Sequence, residues 1–311
     1  MKHSVDRRGF LKGALGGAAA LSVASFTPRR VAAGERAAIT PTALNDQLTV
    51  FSGAGCNVVA ARDGAGLALV DGGLEEHSAE LAKALDEAYG RARVHTLINT
   101  HWHPEQTGSN ARLGAAGATI IAHENTRLWL GYANPAPAHP ERSYGPLPPR
   151  ARPNKTFYAT EKLEIGAEPV ECGYLLQAHT DGDIYVFFRK SNVLVAGGPV
   201  SGAGWPVIDY HTGGWILGMI DGLRTLIGLA DAHTRIVPAN GPVLTRADLE
   251  AQRAMYSTIS DRLAKMLRQG LATDEVVAKA PTAEFDAQWG EPTQFVTQAF
   301  QSLWGHFAPD A

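Results

Sequence analysis

The order of β-rich and helical segments constrains the fold of this chain more than any other feature. The first half contains the short β-rich runs QLTVFSG, CNVVAARDG and GLALVDGG, separated by glycine turns and followed by the amphipathic run EEHSAELAKALDEAYG. The second half repeats this order, with β-rich runs such as EPVECGYLL and DIYVFFR followed by long helical segments. We therefore predict an α/β fold with two similar halves packed as layers.

The N-terminal segment has the pattern of a cleavable export signal. Arg7 and Arg8 precede an apolar run from Ala14 to Phe26, which is shorter than the roughly 20 residues that a membrane span needs. Small residues near position 33 offer a cleavage site, and the arginine pair indicates the twin-arginine export machinery. We predict a signal at residues 1–33, a mature domain at 34–311 and a periplasmic or otherwise exported protein. A buried amphipathic helix is the alternative.

Removing the predicted signal changes the charge of the protein. The signal contains six of the 28 basic residues and one of the 31 acidic residues, which leaves 22 against 30 and a net charge of −8. Such a surface does not suit nucleic acid or anionic lipid. No later segment is apolar enough to span a bilayer. The negative charge and the lack of such a segment together lead us to expect that the mature protein binds neither nucleic acid nor membrane.

Two further features leave alternatives open. Cys56 and Cys172 could pair in an oxidising compartment, but two cysteines do not make a disulfide scaffold, and buried free thiols fit equally well. The proline-rich segment from Ala133 to Pro153 is predicted to be a long loop. Loops of this length are uncommon unless they are functional or disordered, so it is either a flap over a site or a solvated connector.

Three histidines have the spacing of a metal site. His101 and His103 follow the buried β-rich run VHTLINT, and residues two apart share a face of an extended segment. His179, in LLQAHTDGD, follows another β-rich run, with Asp181 and Asp183 directly behind it. Three imidazoles with one open position form a common catalytic zinc site, and carboxylates often orient such imidazoles from outside the ligand shell.

These motifs resemble those of the metallo-β-lactamase-fold hydrolases. THWHPEQTGSN stands where that family has H-x-H-x-D-H, and AHTDGD matches its third-histidine motif. LALVDGG matches its D-x-G strand end, and IVPANGPV stands where it has a P-G-H-G loop. The resemblance extends from about Leu44 to the C-terminus and implies a four-layer αβ/βα sandwich with the site at one edge. It also implies that His101, His103 and His179 bind the first metal and that Asp71 supports the site loop.

The departures from the family pattern fall on its second metal position. Glu105 and Gln106 replace the Asp and His that close H-x-H-x-D-H. Gly198, in VAGGPV, replaces an aspartate, and Asn240, in PANGP, replaces the last histidine. Amides are poor zinc ligands beside imidazole or carboxylate, and glycine offers no ligand at all. We therefore expect one zinc ion, with the second site absent or weak.

The freed Glu105 is the candidate catalytic residue. A carboxylate beside the metal can accept a proton from the attacking water, although Glu105 could instead be a fourth ligand of the ion. Gln106 and Asn240 could donate hydrogen bonds to a substrate carbonyl or oxyanion. Gly198 and His211, which lies in IDYHTGG, are expected to line the substrate pocket.

The sequence therefore predicts an exported, metal-dependent hydrolase of a small-molecule ester, lactone, amide or lactam. One alternative is a periplasmic binding protein that kept the fold and lost the chemistry. Another is a metal-dependent lyase or isomerase that uses the ion only to polarise its substrate. Metal content distinguishes the enzyme from the binding protein, and product analysis distinguishes the two enzyme classes.

Overall fold

The computed structural model of the protein describes residues 38–64, 66–136 and 139–307. The predicted export signal at residues 1–33 lies outside the described residues and stays a prediction. In chain order the strands are β1 (Thr40–Ala43), β2 (Leu48–Ser52), β3 (Val58–Asp63), β4 (Gly66–Val70), β5 (Arg93–Ile98), β6 (Thr119–His123), β7 (Asn134–Ala136), β8 (His139–Tyr144), β9 (Lys155–Phe157), β10 (Thr160–Ile165), β11 (Glu168–Tyr174), β12 (Ile184–Phe188), β13 (Val193–Gly197) and β14 (Arg235–Pro238).

The α-helices lie mostly between and after these strands. They are α1 (Ser78–Tyr89), α2 (Pro104–Thr107), α3 (Asn110–Ala115), α4 (Glu124–Trp129), α5 (Ile216–Leu229), α6 (Arg246–Arg268), α7 (Thr273–Ala278), α8 (Asp286–Trp289) and α9 (Thr293–Phe307). Short 3₁₀ turns occur at Glu75–His77, Pro149–Ala151 and Tyr210–Thr212. Within the described part of the chain, none of these helices is both long and apolar enough to cross a membrane.

The strands form two large sheets and one hairpin. The first sheet has the order β1-β2-β3-β4-β5-β6-β9, with antiparallel pairs up to β4 and parallel pairs beyond it. The second has the order β10-β11-β12-β13-β14 and is antiparallel except for β13 and β14. Each half of the chain therefore builds one sheet, except that β9, which directly precedes β10 in the chain, pairs with β6 of the first sheet.

The two sheets pack face to face, and helices cover their outer faces. Along β3, Val59 and Ala61 belong to the apolar layer between the sheets, whereas Val58 and Ala60 pack with α1 on the outside. This alternation is what the two-residue period of a strand requires. Helices α5, α6 and α9 pack in the same way on the second sheet. The result is the four-layer αβ/βα sandwich that the family resemblance implied.

The loops that carry the predicted metal ligands meet at one edge of the sandwich. His101 and His103 follow β5 of the first sheet. His179 lies between β11 and β12 of the second sheet. A hydrogen bond of 2.8 Å from Ile184 N to Thr100 O joins the two sheets at this edge. The ligands of one site therefore come from both halves of the chain.

The proline-rich segment at residues 133–153 differs from the predicted loop. It contains the antiparallel hairpin of β7 and β8, followed by a 3₁₀ turn. Prolines are tolerated in such a pair because each strand has an unpaired edge. Tyr144, at the end of β8, lies 2.8 Å from Thr107 Oγ1 through its hydroxyl. The prediction of an irregular loop was therefore wrong, and the segment contacts the loop that carries the histidines.

The two cysteines do not form a disulfide. Cys56 lies in the turn between β2 and β3, Cys172 lies in β11, and both are buried free thiols. Burial raises the pKa of Cys172 to about 12 and that of Cys56 well above its ordinary value. Both thiols therefore stay protonated, as expected for cysteines that only fill the core.

Candidate metal centre

The rings of His101, His103 and His179 converge at the edge of the sandwich and are buried there. Each pair of ring centroids is 4.6 Å apart, with interplanar angles of 81°, 84° and 70°. One nitrogen from each ring lies within 4.8 Å of the corresponding nitrogens of the other two rings. This group could hold one metal ion.

His103 turns one ring nitrogen toward the cluster and the other away from it. Its Nδ1 lies 3.1 Å from His179 Nε2, and its Nε2 lies 3.2 Å from Asp209 Oδ2. Because a carboxylate only accepts, the proton is on His103 Nε2 and the lone pair is on Nδ1. Asp209 also accepts a hydrogen bond from Thr212, whose hydroxyl accepts one from Trp102 Nε1.

His179 is held in a similar way by a backbone carbonyl. Its Nδ1 donates to Val207 O at 2.5 Å, so its Nε2 carries a lone pair. The lone pairs of His179 Nε2 and His103 Nδ1 therefore face each other across 3.1 Å. Two acceptors at this distance repel each other unless a cation or a proton lies between them. The donor set thus fits a metal ion.

His101 is oriented through two successive hydrogen bonds. Thr100 Oγ1 donates its single proton to Asp71 Oδ2 at 2.8 Å and lies 3.1 Å from His101 Nδ1. The hydroxyl must therefore accept from His101 Nδ1, which leaves a lone pair on His101 Nε2. Asp71 Oδ1 also accepts from Thr100 N at 2.8 Å, and burial raises the pKa of Asp71 to about 7.

Burial also sets the protonation state of the cluster. Burial first, and then the proximity of His103, lowers the pKa of His101 well below its ordinary value and that of His179 to about 3. These rings are therefore neutral, which is the form that binds a metal. Burial alone would raise the pKa of Asp209, but hydrogen bonds from His103 and Thr212 outweigh it and lower the pKa. Asp209 therefore remains a carboxylate.

Asp183 and Asp181, which the sequence placed around the ligands, have different surroundings. Asp183 is buried, and its Oδ2 accepts from Thr180 N at 2.6 Å. Its Oδ1 lies 3.9 Å from His101 Nδ1 and has no hydrogen-bond partner among the described residues. The carboxylate of Asp181 instead accepts from Trp129 Nε1 at 2.6 Å. The structure thus brings Asp183 next to a predicted ligand and directs Asp181 away from the ligands.

Glu105 and Gln106 lie in α2, immediately after His103. Glu105 is half-buried and does not belong to the described group of converging metal-binding atoms, which contains the three histidines alone. Gln106 is buried, and its backbone oxygen accepts from Gly72 N and Asn99 Nδ2. Its side-chain Oε1 has no partner within the described part of the chain. The amide of Gln106 therefore keeps unused hydrogen-bonding capacity.

Gly198 and Asn240 do not offer ligands to the cluster. A Cβ atom on Gly198 would lie 2.6 Å from Cγ and 2.8 Å from Nε2 of His179, so no larger residue fits while that ring stays in place. Asn240 is exposed, and its Oδ1 accepts from Ser201 Oγ at 3.1 Å. None of the contacts described for Asn240 reaches the three histidines.

A cavity of about 500 Å³ lies beside Asp209. It is bounded by the end of α4, the start of β7, the segment before α5 and one face of α9. His211 lines it next to Tyr210, with ring centroids 4.0 Å apart. Its described lining residues are Trp129, Asn134, Pro135, Ile208, Asp209, Tyr210, His211, Thr212, Gln294, Thr297, Gln298 and Gln301.

Sequence reasoning missed Asp209, Thr212 and the carbonyl of Val207. All three lie in the irregular segment between β13 and α5, which has no ligand spacing and no periodic pattern. Asp209 is 106 positions from His103, so nothing local in the sequence connects them. The only available signal was that this segment follows the glycine-rich run in which the family's aspartate is missing.

Comparison with known proteins agrees with this geometry. The sequence profile of the metallo-beta-lactamase superfamily matches residues 52–254, which is more than half of the chain. The chain therefore belongs to the metallo-β-lactamase superfamily, and this membership together with the histidine cluster supports a metal-dependent hydrolase. No curated protein matches the chain.

Several solved structures have a similar fold at low sequence identity. A metallo-beta-lactamase from Pontibacter korlensis superposes with a TM-score of 0.58 at 16% identity, covering 70% of this chain and 99% of that one. FIM-1 from Pseudomonas aeruginosa, in a mono-zinc form, gives 0.56 at 14% identity, covering 70% and 95%. The inverting sec-alkylsulfatase Pisa1 from Pseudomonas sp. gives 0.64 at 11% identity, covering 88% of this chain and 51% of that one. These similarities show the fold alone.

Proposed function

We propose that this protein is an exported zinc-dependent hydrolase of an ester, lactone, amide or lactam, with one zinc ion on His101, His103 and His179. The observation that carries the proposal is that all three rings present lone pairs inward while their other nitrogens donate to fixed acceptors. Such partners fix the orientation of metal-binding histidines and raise their basicity. The ligands of such a site are preorganised for metal binding.

The surroundings of the second metal position support one ion rather than two. Gly198 leaves no room for a side chain beside His179. Asn240 is bonded to Ser201, and amides such as Gln106 bind zinc poorly. Glu105 is then the only strong ligand type left at this position, and a single carboxylate does not hold zinc by itself. FIM-1, a similar structure, was solved in a mono-zinc form.

A zinc ion at this site would supply Lewis acidity, which makes water a nucleophile at neutral pH and polarises a carbonyl oxygen. The residues of the chain supply the remaining functions. Glu105 follows His103 by two positions, and no hydrogen bond or ion pair is described for its carboxylate, so it is free to accept the proton of the attacking water. The unpaired Oε1 of Gln106 can accept a hydrogen bond from a donor group of the substrate.

A metal count combined with a substrate panel tests this function. The mature protein should contain one zinc per chain and hydrolyse at least one of an aryl ester, a lactone, an amide and a β-lactam. A secondary alkyl sulfate belongs in the panel because Pisa1 is an alkylsulfatase. If the zinc-containing protein converts a substrate to a product other than that of hydrolysis, the lyase or isomerase is favoured. A protein without zinc would favour the binding protein.

Export is a separate part of the proposal. Replacing both Arg7 and Arg8 by lysine should leave the uncleaved chain in the cytoplasm, whereas the unchanged chain should appear in the periplasm in shortened form. Cell fractionation with antibody detection measures both forms. Equal periplasmic amounts of the two chains would contradict export by the twin-arginine route without affecting the metal site.

A further inference from the structure

Two side-chain amides line the cavity beside Asp209, and backbone groups hold each of them in one orientation. Gln298, on α9, accepts a hydrogen bond from Ile208 N through its Oε1 at 3.0 Å. Because an amide has one oxygen and one NH2 group, this contact leaves the NH2 group of Gln298 available. No acceptor for that group occurs among the described residues. The wall formed by α9 therefore presents a hydrogen-bond donor to the cavity.

Asn134, at the start of β7, is held in the opposite orientation. Its Nδ2 donates to Trp129 O at 2.8 Å and to Tyr132 O at 3.2 Å, which uses both protons of the NH2 group. The side chain is buried and lines the cavity, and its Oδ1 has no hydrogen-bond partner in the described part of the chain. A buried polar atom without a partner favours a ligand that pairs with it. The wall formed by β7 therefore presents an acceptor.

The titratable groups of this lining do not determine what the two amides select. The Oδ2 atom of Asp209 already accepts hydrogen bonds from His103 and Thr212. His211 lines the cavity but is exposed to solvent. Because both amides are neutral, their pattern of one donor and one acceptor is the same whatever the charge of His211. It is also unchanged by a zinc ion on the histidines.

A trans secondary amide points its C=O and its N–H in opposite directions, so it can accept from one wall and donate to another. An ester or a ketone offers acceptors alone and would leave Asn134 Oδ1 unpaired. We propose that this cavity binds a secondary amide group of the substrate, whose C=O accepts from Gln298 and whose N–H donates to Asn134. The proposal rests on the proposed function, because it names a group that the substrate carries. This amide is recognised beside Asp209 and is not the bond that is hydrolysed.

A matched pair of neutral ligands tests this preference without turnover. N-methylbenzamide and propiophenone have nearly the same shape, but the ketone has a CH2 group where the amide has its N–H. Titrated into the mature, zinc-loaded protein and followed by NMR, the amide should bind about five- to tenfold more tightly, because the ketone leaves Asn134 Oδ1 unpaired. The side-chain NH2 signals of Gln298 should shift with both ligands, because both carry a carbonyl. The ligand signals in the same spectra report whether the amide stays intact.

Two variants assign the contacts to their residues. Asn134→Leu removes the acceptor and should make the two ligands bind about equally, by weakening the amide alone. Gln298→Met removes the donor, keeps the hydrogen bonds of Asn134, and should weaken both ligands about five- to tenfold. Gln269→Met, at the exposed end of α6, is the matched control and should leave both affinities unchanged. If Asn134→Leu does not fold, Gln298→Met and the ligand pair decide.

Three results would overturn the proposal. One is equal or tighter binding of propiophenone by the unchanged protein, and another is unchanged affinity of Gln298→Met for both ligands. The third is the absence of any shift in the Gln298 NH2 signals, which would mean that the carbonyl binds elsewhere, such as on the zinc ion. A protein that prefers the amide but hydrolyses nothing would contradict the proposed function and keep this inference, whereas a hydrolase without the preference would do the reverse.

Discussion

The three-histidine position and the neighbouring second position differ in what surrounds their side chains. Around the histidines, the outer nitrogens meet Thr100, Asp209 and the carbonyl of Val207. At the second position, Gly198 lies against His179 and has no side chain to offer. The side chain of Asn240 accepts a hydrogen bond from Ser201, and none of its described contacts reaches the three histidines. Metal binding therefore depends on the hydrogen-bond acceptors behind the ligands as much as on the ligands themselves.

Removing a ligand from the histidine cluster should have the largest effect. His101→Ala and His179→Ala should each lower zinc affinity by about 10³-fold or more and abolish turnover, because two imidazoles remain where three converged. His233→Ala, at an exposed histidine, is the matched control and should keep full zinc content. Metal analysis after dialysis measures all three. Retention of zinc by His101→Ala would show that His101 is not a metal ligand.

Glu105→Gln should separate turnover from metal binding. The variant should bind zinc within about twofold of the unchanged protein and lose about 10² to 10⁴ in kcat, because the amide cannot accept the proton of the attacking water. Glu87→Gln, at an exposed position of α1, is the control. Loss of zinc from Glu105→Gln would make Glu105 a ligand, and unchanged kcat would remove its role as the base.

Gly198→Ala, at the second metal position, should weaken zinc binding by the three histidines. The added methyl group would displace the ring of His179, so zinc affinity should fall by about 10- to 100-fold. Overpacking should also lower the free energy of unfolding by about 1–3 kcal/mol. Gly228→Ala, within α5, meets no atom within 4 Å and should not destabilise the protein. Chelator competition and urea unfolding measure both effects, and equal behaviour of the two variants would contradict the packing argument.

Asp209→Ala should weaken the metal site through His103. Without its acceptor, His103 Nε2 is left buried and unpaired, and zinc affinity should fall by about tenfold or somewhat more. Asp209→Asn can still accept through its amide oxygen, so we expect a smaller loss. The spectrum of the cobalt-substituted protein reports the ligand geometry independently of activity. An identical spectrum and zinc affinity in Asp209→Ala would show that this hydrogen bond does not orient the ligand.

Asn240→Ala should have the smallest effect. It removes one partly exposed hydrogen bond to Ser201, so the free energy of unfolding should fall by no more than about 1 kcal/mol. Zinc affinity should change by less than about twofold, because Asn240 has no described contact with the histidines. A large loss of zinc would place Asn240 in the metal site.

The parts of the site that local patterns encode were predictable from the sequence. H-x-H after a buried strand and a histidine after a second strand are short-range signals, and the structure brings these residues together. The role of Asp71 was implied only by the resemblance of LALVDGG to the family's D-x-G strand end, and Asp71 lies two hydrogen bonds from His101. The alternation of strands and helices predicted an α/β fold with two layered halves, whereas the four-layer order was implied only by the family resemblance.

The remaining features depend on contacts between distant segments. Asp209 meets His103 only after the two sheets pack, and Asp181 turns to Trp129, which lies 52 positions away. Pairing of the short strands β7 and β8 has no strong periodic signal, which is why the segment was predicted to be an irregular loop. The contact of Gly198 with the ring of His179 is likewise recognisable only in the folded structure, because the sequence shows only that the aspartate is absent.

The most direct test of the central claim is an anomalous difference map at the zinc edge from crystals of the zinc-loaded protein. We expect one strong peak, within bonding distance of His101 Nε2, His103 Nδ1 and His179 Nε2, and no second peak near Glu105. Two fully occupied peaks, or a single peak away from these three nitrogens, would contradict the claim.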